Sequence, residues 1–153
     1  MEKIEALIAQ HAFFKGLEPK FLELIADCGT SVRFEAGQYI FREGDASDAF
    51  YAVCGGKIAV EIFVPGEGSI TLQTLGAGDV LGWSWLIPPH KKQFDAKVID
   101  ATHLLKFDAK CLRKKCDQDP RFGYQLLQRV VQILGQRLQA TRLQLLDVYG
   151  AAR

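Results

Sequence analysis

No run of apolar residues in this chain approaches the roughly 20 that a membrane-spanning helix requires. Met1-Glu2-Lys3 does not lead into the apolar core of a secretory signal either. The expectation is a cytoplasmic protein with no membrane contact. Charge of one sign is also lacking. Lys and Arg number 19 against 18 Asp and Glu, a net of +1, which argues against a broad basic face for nucleic acid. The four cysteines, Cys28, Cys54, Cys111 and Cys116, include no Cys-x-x-Cys pair and have no histidines at zinc-ligand offsets. No metal site is expected, and the thiols read as reduced and structural, with Cys111 and Cys116 on a basic helix as the pair open to redox chemistry. Catalytic signatures are missing as well: there is no serine elbow, no phosphate loop with its lysine, no His-Glu-x-x-His and no carboxylate pair that spacing forces together. Asp45, Asp48 and Asp79 fall in turn contexts that explain them without chemistry.

What is present is one chain of 153 residues, enough to bury about two thirds of its unfolded surface as a single domain. Three segments are expected. In the first, 1–29, Ile4, Leu7 and Ile8 mark a short amphipathic helix. Phe13-Phe14-Lys15-Gly16-Leu17 forms an apolar hinge, and Pro19 opens a second helix buried through Phe21, Leu22, Leu24 and Ile25. From 30 to 108 the pattern changes to short β-branched and aromatic runs separated by glycine pairs. Eight strands are expected, at Ser31–Phe34, Tyr39–Phe41, Ala49–Cys54, Lys57–Phe63, Ser69–Leu75, Val80–Leu81, Phe94–Ile99 and His103–Phe107, with turns at Gly55-Gly56 and elsewhere.

In the last segment, 109–153, Asp108 caps a short helix and Asp119-Pro120 opens a long one. Along that helix Tyr124, Leu127, Val131, Leu134, Leu138, Thr141, Leu145 and Val148 recur at alternating steps of three and four, a heptad seam. A second row, Leu126, Val130 and Ile133, widens the stripe in the first half. The helix is thus expected to pack on its own roll early and on a partner helix later. Leu127, Val131, Leu134, Leu138, Thr141, Leu145 and Val148 are the candidate dimer interface, most simply a symmetric one.

The stretch from Gly78 to Ala96 is the candidate pocket. A strand, a turn on Gly82, one apolar turn and the stop at Pro88-Pro89 place backbone N–H groups around a concavity suited to an anion or ligand. Each side chain here carries two readings. Trp83 stacks on a planar ligand or packs in the core, as does Trp85. Ser84 donates to a phosphate oxygen or caps a helix. Lys91 and Lys92 receive an anion or are simply solvated, and His90 reads as surface.

Several motifs together resemble the cyclic nucleotide-binding domain of the catabolite activator and nitrogen-regulator (Crp/Fnr) superfamily. They are Arg42-Glu43-Gly44-Asp45-Ala46-Ser47-Asp48-Ala49-Phe50-Tyr51-Ala52-Val53 with the following Gly55-Gly56-Lys57, and Gly76-Ala77-Gly78-Asp79-Val80-Leu81-Gly82. Arg137-Leu138-Gln139-Ala140-Thr141 resembles the part of that family's central helix that carries a base-facing threonine. The resemblance implies a mainly β fold with α, a double-stranded β-helix or jelly-roll-like β-roll flanked by N-terminal helices and a long C-terminal dimerisation helix. It also implies a cyclic nucleotide or other nucleotide-like ligand held by Gly82, Trp83, Ser84, Trp85, Lys91, Lys92, Gln93, Thr141 and Arg142.

The chain departs from the pattern at two places. Trp83 stands where the family has a ribose-binding glutamate, and Lys92 lies nearest the phosphate-clamping arginine. Lysine lacks the planar fork of arginine. Losing the ribose acceptor costs roughly 1–3 kcal/mol if the hydroxyl is buried unpaired, and about 1.4 kcal/mol is already tenfold in affinity. Ordinary cyclic AMP binding is therefore not expected. With no recognition helix after Val148, a DNA-binding module is not expected either. Two functions follow. One is a homodimeric ligand-sensing domain with a non-standard pocket, read by a separate effector. The other is a ligand-independent interaction scaffold whose pocket is filled by Trp83 and Trp85. An enzyme acting on nucleotides has only the pocket in its favour.

Overall fold

The computed structural model describes residues 3–86, 88 and 90–151, with the side chains of Trp83, Tyr149 and Ala151 outside that description. Helices α1 (Ile4–Gln10) and α2 (Pro19–Asp27) precede six strands: β1 (Gly29–Phe34), β2 (Tyr39–Phe41), β3 (Ala49–Val64), β4 (Gly68–Leu75), β5 (Val80–Leu81) and β6 (Asp95–Asp108). Helices α3 (Ala109–Gln118) and α4 (Pro120–Ala151) complete the chain. All strand pairings are antiparallel, in the order β1-β6-β3-β4, with β2 added to β6 and β5 to β3.

The period of two on β3 divides the interior. Ala49, Tyr51 and Val53 face the inside of the roll with Phe41, Ile58, Val60, Leu75, Leu81, Ala96 and Leu104. Phe50 and Ala52, on the other face, join the aromatic core under the helices. There Phe14, Phe50 and Phe107 pack edge to face or tilted, with centroids 5.4 to 6.1 Å apart, and Ile8, Phe21, Ile25, Leu112, Phe122, Leu126 and Val130 close over them. His11 joins this layer to the sheet. Its Nε2 lies 2.9 Å from the Val53 carbonyl and its Nδ1 accepts from the Phe13 amide, so the ring is held as the neutral tautomer and burial lowers its pKa.

The helices start and stop as expected. Pro19 occupies the first turn of α2, and the Asp108 carboxylate accepts from the Lys110 amide to cap α3. Two expectations need correction. The eight short strands are six: Gly55-Gly56 is not a turn, so the two runs flanking it are the single strand β3, and Phe94–Ile99 and His103–Phe107 likewise merge into the single strand β6. β3 and β6 pair from Ala49↔Asp108 to Glu61↔Asp95 and absorb the glycines as register shifts. Gly56 has φ +105°, and a Cβ there would sit 2.6 Å from the Ala101 carbonyl oxygen, so the two strands approach too closely for a side chain. The cysteines are also not all reduced: Cys28 and Cys111 form a disulfide across 83 residues of sequence. The Asp108 amide donates to the Cys28 carbonyl at 2.9 Å, which brings the end of α2 against the start of α3. Cys111 is therefore not paired with Cys116, whose thiol pKa burial and then Asp117 push up to about 11.

Candidate functional site

The glycine-rich entry is pinned to β3 before the pocket begins. The Asp79 carboxylate accepts from the Gly76 amide at 2.9 Å, while Gly78 N–H donates to the Val53 carbonyl and Val53 N–H to that of Asp79. β5 follows, and the chain then reverses at Gly82, with φ +85°, into a 3-10 turn over Trp83–Leu86. The return leg is braced by the early Gly-Asp turn. Gly44 N–H donates to the Lys92 carbonyl, Lys92 N–H to that of Asp45, and Ser47 N–H to that of His90, at 2.9, 2.8 and 2.6 Å. Buried Asp95 takes the Glu43 amide at 2.7 Å and the Arg42 guanidinium at 3.3 Å. The motif residues 42–48 thus position the pocket loop rather than line it.

Four of the expected ligand residues come together, and they fill the space themselves. Phe41, Gly82, Ser84, Lys92, Gln93 and Phe94 surround a site with essentially no enclosed volume. Lys92 is 3% exposed. Its ammonium donates to the Ala49 carbonyl at 2.8 Å and lies 4.4 Å over the Phe41 ring and 5.7 Å from that of Tyr51. A Cβ on Gly82 would stand 2.7 Å from Lys92 Nζ, so the glycine makes room for the amine. Burial lowers the Lys92 pKa to about 8, against the opposing fields of Asp48 and Asp45. Ser84 Oγ donates to Ser47 Oγ at 2.9 Å, both buried, so this hydroxyl serves the fold.

The other expected residues are elsewhere. Trp85 is fully buried in the core under the helices, with its ring centroid 6.1 Å from that of Phe50, which is the packing reading. Trp83 lies outside the described side chains. Lys91 is exposed, bridges Ala46 through backbone and accepts at its carbonyl from the Gln93 side-chain amide of the pocket loop. Arg142 is exposed. Thr141 spends its hydroxyl on the Arg137 carbonyl one turn back, at 2.9 Å, and lines a second cavity.

That second cavity, of about 240 Å³, lies between the roll and α4. Val60, Leu72, Phe94 and Leu134 give it apolar walls, and Gln73, Arg137, Thr141 and Gln144 supply polar groups. Phe94 belongs to both sites, so they adjoin. Arg137 is the residue that sequence reasoning left out of the site. Its guanidinium donates to the Val80 carbonyl, two residues before Gly82. Burial lowers its pKa while Asp79 opposes. The available signal was its position four residues before Thr141, which places both on one helix face.

Arg137 is one of three such clasps. Arg113 donates to the Trp85 carbonyl at 2.8 Å and Arg129 to that of Phe13 at 2.7 Å. The two C-terminal helices therefore hold backbone carbonyls of β5, of the 3-10 turn and of the N-terminal hinge. A group bound in the second cavity would touch the roll and α4 at once. Among the described residues no cluster of His, Cys, Asp and Glu could hold a metal ion.

A β-roll closed by a long helix over a pocket loop defines a ligand-binding regulatory fold. The family model described as "Cyclic nucleotide-binding domain" matches residues 31–119, and the chain belongs to that family, in its Crp/Fnr form. It is 25% identical over 145 residues to the CRP-like cAMP-activated global transcriptional regulator of Mycobacterium tuberculosis, covering 95% of this chain and 63% of that protein. It therefore spans under two thirds of that relative's length. A cyclic nucleotide-binding domain from Methylobacillus flagellatus superposes with a TM-score of 0.80 at 18% identity, over 95% of this chain and 82% of that one. The catabolite activator protein of Thermus thermophilus does so with 0.71 at 24%, over 90% and 63%. At these identities the two structures speak for the fold alone.

Proposed function

We propose that this domain is a cytoplasmic regulatory sensor of the cyclic nucleotide-binding type with a non-standard pocket, signalling through a dimerising α4. The observation that carries it is Arg137, which hydrogen-bonds the Val80 carbonyl and lines the same cavity as Phe94. A ligand there contacts both the pocket loop and α4, so it favours one helix position by whatever it binds better in that position. The role is regulatory rather than catalytic, and its output is read by a partner helix or a separate effector protein.

The homodimer rests on the helix seam. Leu127, Val131, Leu138, Leu145 and Val148 are each 48–67% exposed, a row of large apolar side chains that a second copy of α4 would cover. A second reading, a ligand-independent interaction domain, is favoured by the self-filled pocket loop. Lys92 does the filling there, while Trp85 packs beneath.

A thermal-shift titration of the purified domain against cyclic AMP, cyclic GMP, cyclic dinucleotides and linear nucleotides separates the two, with Lys92→Ala and Thr141→Ala alongside. A ligand that binds the native state raises Tm by mass action. A rise for a nucleotide that is lost in both variants supports a nucleotide sensor. No rise for any of them at millimolar concentration removes nucleotides as the ligand.

A further inference from the structure

We infer that the cavity between the roll and α4 binds a small aromatic carboxylate, with Arg137 as its anion receptor; this deepens the sensor reading and rests on it. The self-filled pocket loop sets the first constraint. A phosphate cannot enter beside Gly82 unless Lys92 leaves the Ala49 carbonyl and the Phe41 ring. The sugar-phosphate end of a nucleotide thus has no seat there, and the adjoining cavity is what a ligand can use.

Size and lining set the second. A cavity of about 150 Å³ with apolar walls takes up benzene, and this one is about 240 Å³. That admits a body of one or two rings. Leu72, Phe94 and Leu134 offer it apolar and aromatic surface.

Charge sets the third. Arg137 is half-buried, and among the described residues no carboxylate lies within ion-pair distance of it. Its bond to Val80 uses one of five N–H donors. Burial disfavours the guanidinium's charge and the field of Asp79 offsets only part of that, whereas a bound carboxylate supplies the bidentate partner its geometry matches. Gln73 and Gln144 line the same cavity and can hydrogen-bond a ring substituent. A neutral aromatic would leave the remaining guanidinium donors without an anionic partner.

The test titrates 2-naphthoate, its uncharged counterpart 2-naphthamide, and cyclic AMP into the purified domain by isothermal calorimetry. It uses the parent chain, Arg137→Gln, Arg137→Lys, Ala140→Phe to fill the cavity from the helix side, and Lys110→Ala, exposed on α3 and outside the cavity lining, as a control. Circular dichroism melts confirm that each variant is folded. The expected result is naphthoate binding at least tenfold tighter than naphthamide. It should weaken at least tenfold in Arg137→Gln and less in Arg137→Lys, vanish in Ala140→Phe and be unchanged in Lys110→Ala. Equal binding of acid and amide, or binding indifferent to Ala140→Phe, overturns the inference. Cyclic AMP binding that requires Lys92 and ignores Arg137 overturns it too, while leaving the sensor reading intact. Folded protein that binds none of the three overturns both.

Discussion

Lys92 holds a charge where water does not reach it. Its folded pKa is about 8 against an ordinary 10.5, so between those values the unfolded chain binds more protons than the folded one. Stability therefore rises with pH across that window, is fullest above the unfolded value, and is lost as pH falls through about 8. At about 1.4 kcal/mol per pH unit the cost of the buried ammonium at neutral pH is about 3 kcal/mol at most. The Ala49 hydrogen bond and the two ring contacts offset part of it. The prediction is that Lys92→Met melts at or above the parent at pH 7, and that the parent gains on the variant between pH 8 and pH 10. Tyr51, whose pKa burial and then Asp48 raise to about 12, weakens both proteins above its unfolded value and drops out of the difference. A gap that does not change with pH would show that the amine is not desolvated. This burial was not legible in the sequence, where a lysine pair after Pro88-Pro89 reads as solvated. Only the pairing of residues 42–48 with the loop draws Lys92 inward.

Helix α4 changes character along its length, buried on one face in its first half and exposed beyond. Of the second apolar row, Leu126 and Val130 are buried and Ile133 is partly buried against the same core, with Phe122 buried one turn earlier. Beyond Leu134 the exposed leucines have no cover in the described chain. The prediction is that the domain sediments as a dimer and that Leu138→Glu with Leu145→Glu makes it a monomer. Both positions are 53% exposed, so Tm measured at high dilution should differ little between the two proteins. A parent that is monomeric at tens of micromolar, or a dimer that survives the double charge, would contradict the seam. At the same scale the strands were only partly legible. The β-branched and aromatic runs located the strands, yet Gly55-Gly56 looks like a turn in one dimension. Its role as a bulge depends on β6 being long enough to pair across it. The Cys28–Cys111 bond was likewise hidden, since the two thiols meet only once β1 and β6 bring the end of α2 to the start of α3.

Across the whole molecule, three arginines tie the helices to carbonyls of the hinge, β5 and the 3-10 turn, and Arg137 does so at the mouth of the cavity. The family and the roll could be read from the glycine and aspartate spacings. The link between α4 and the pocket loop could not, because a side chain to backbone bond over 57 residues leaves no periodic trace. Hydrogen exchange tests it without any ligand in hand. If Arg137 couples helix and loop, Arg137→Gln should raise exchange of the Val80–Leu86 amides at least tenfold, about 1.4 kcal/mol of lost protection, and loosen α4 beyond Leu134 in the same experiment. β1 and the far end of β6 should be unchanged. A loosened helix over a loop that exchanges as before would contradict the account.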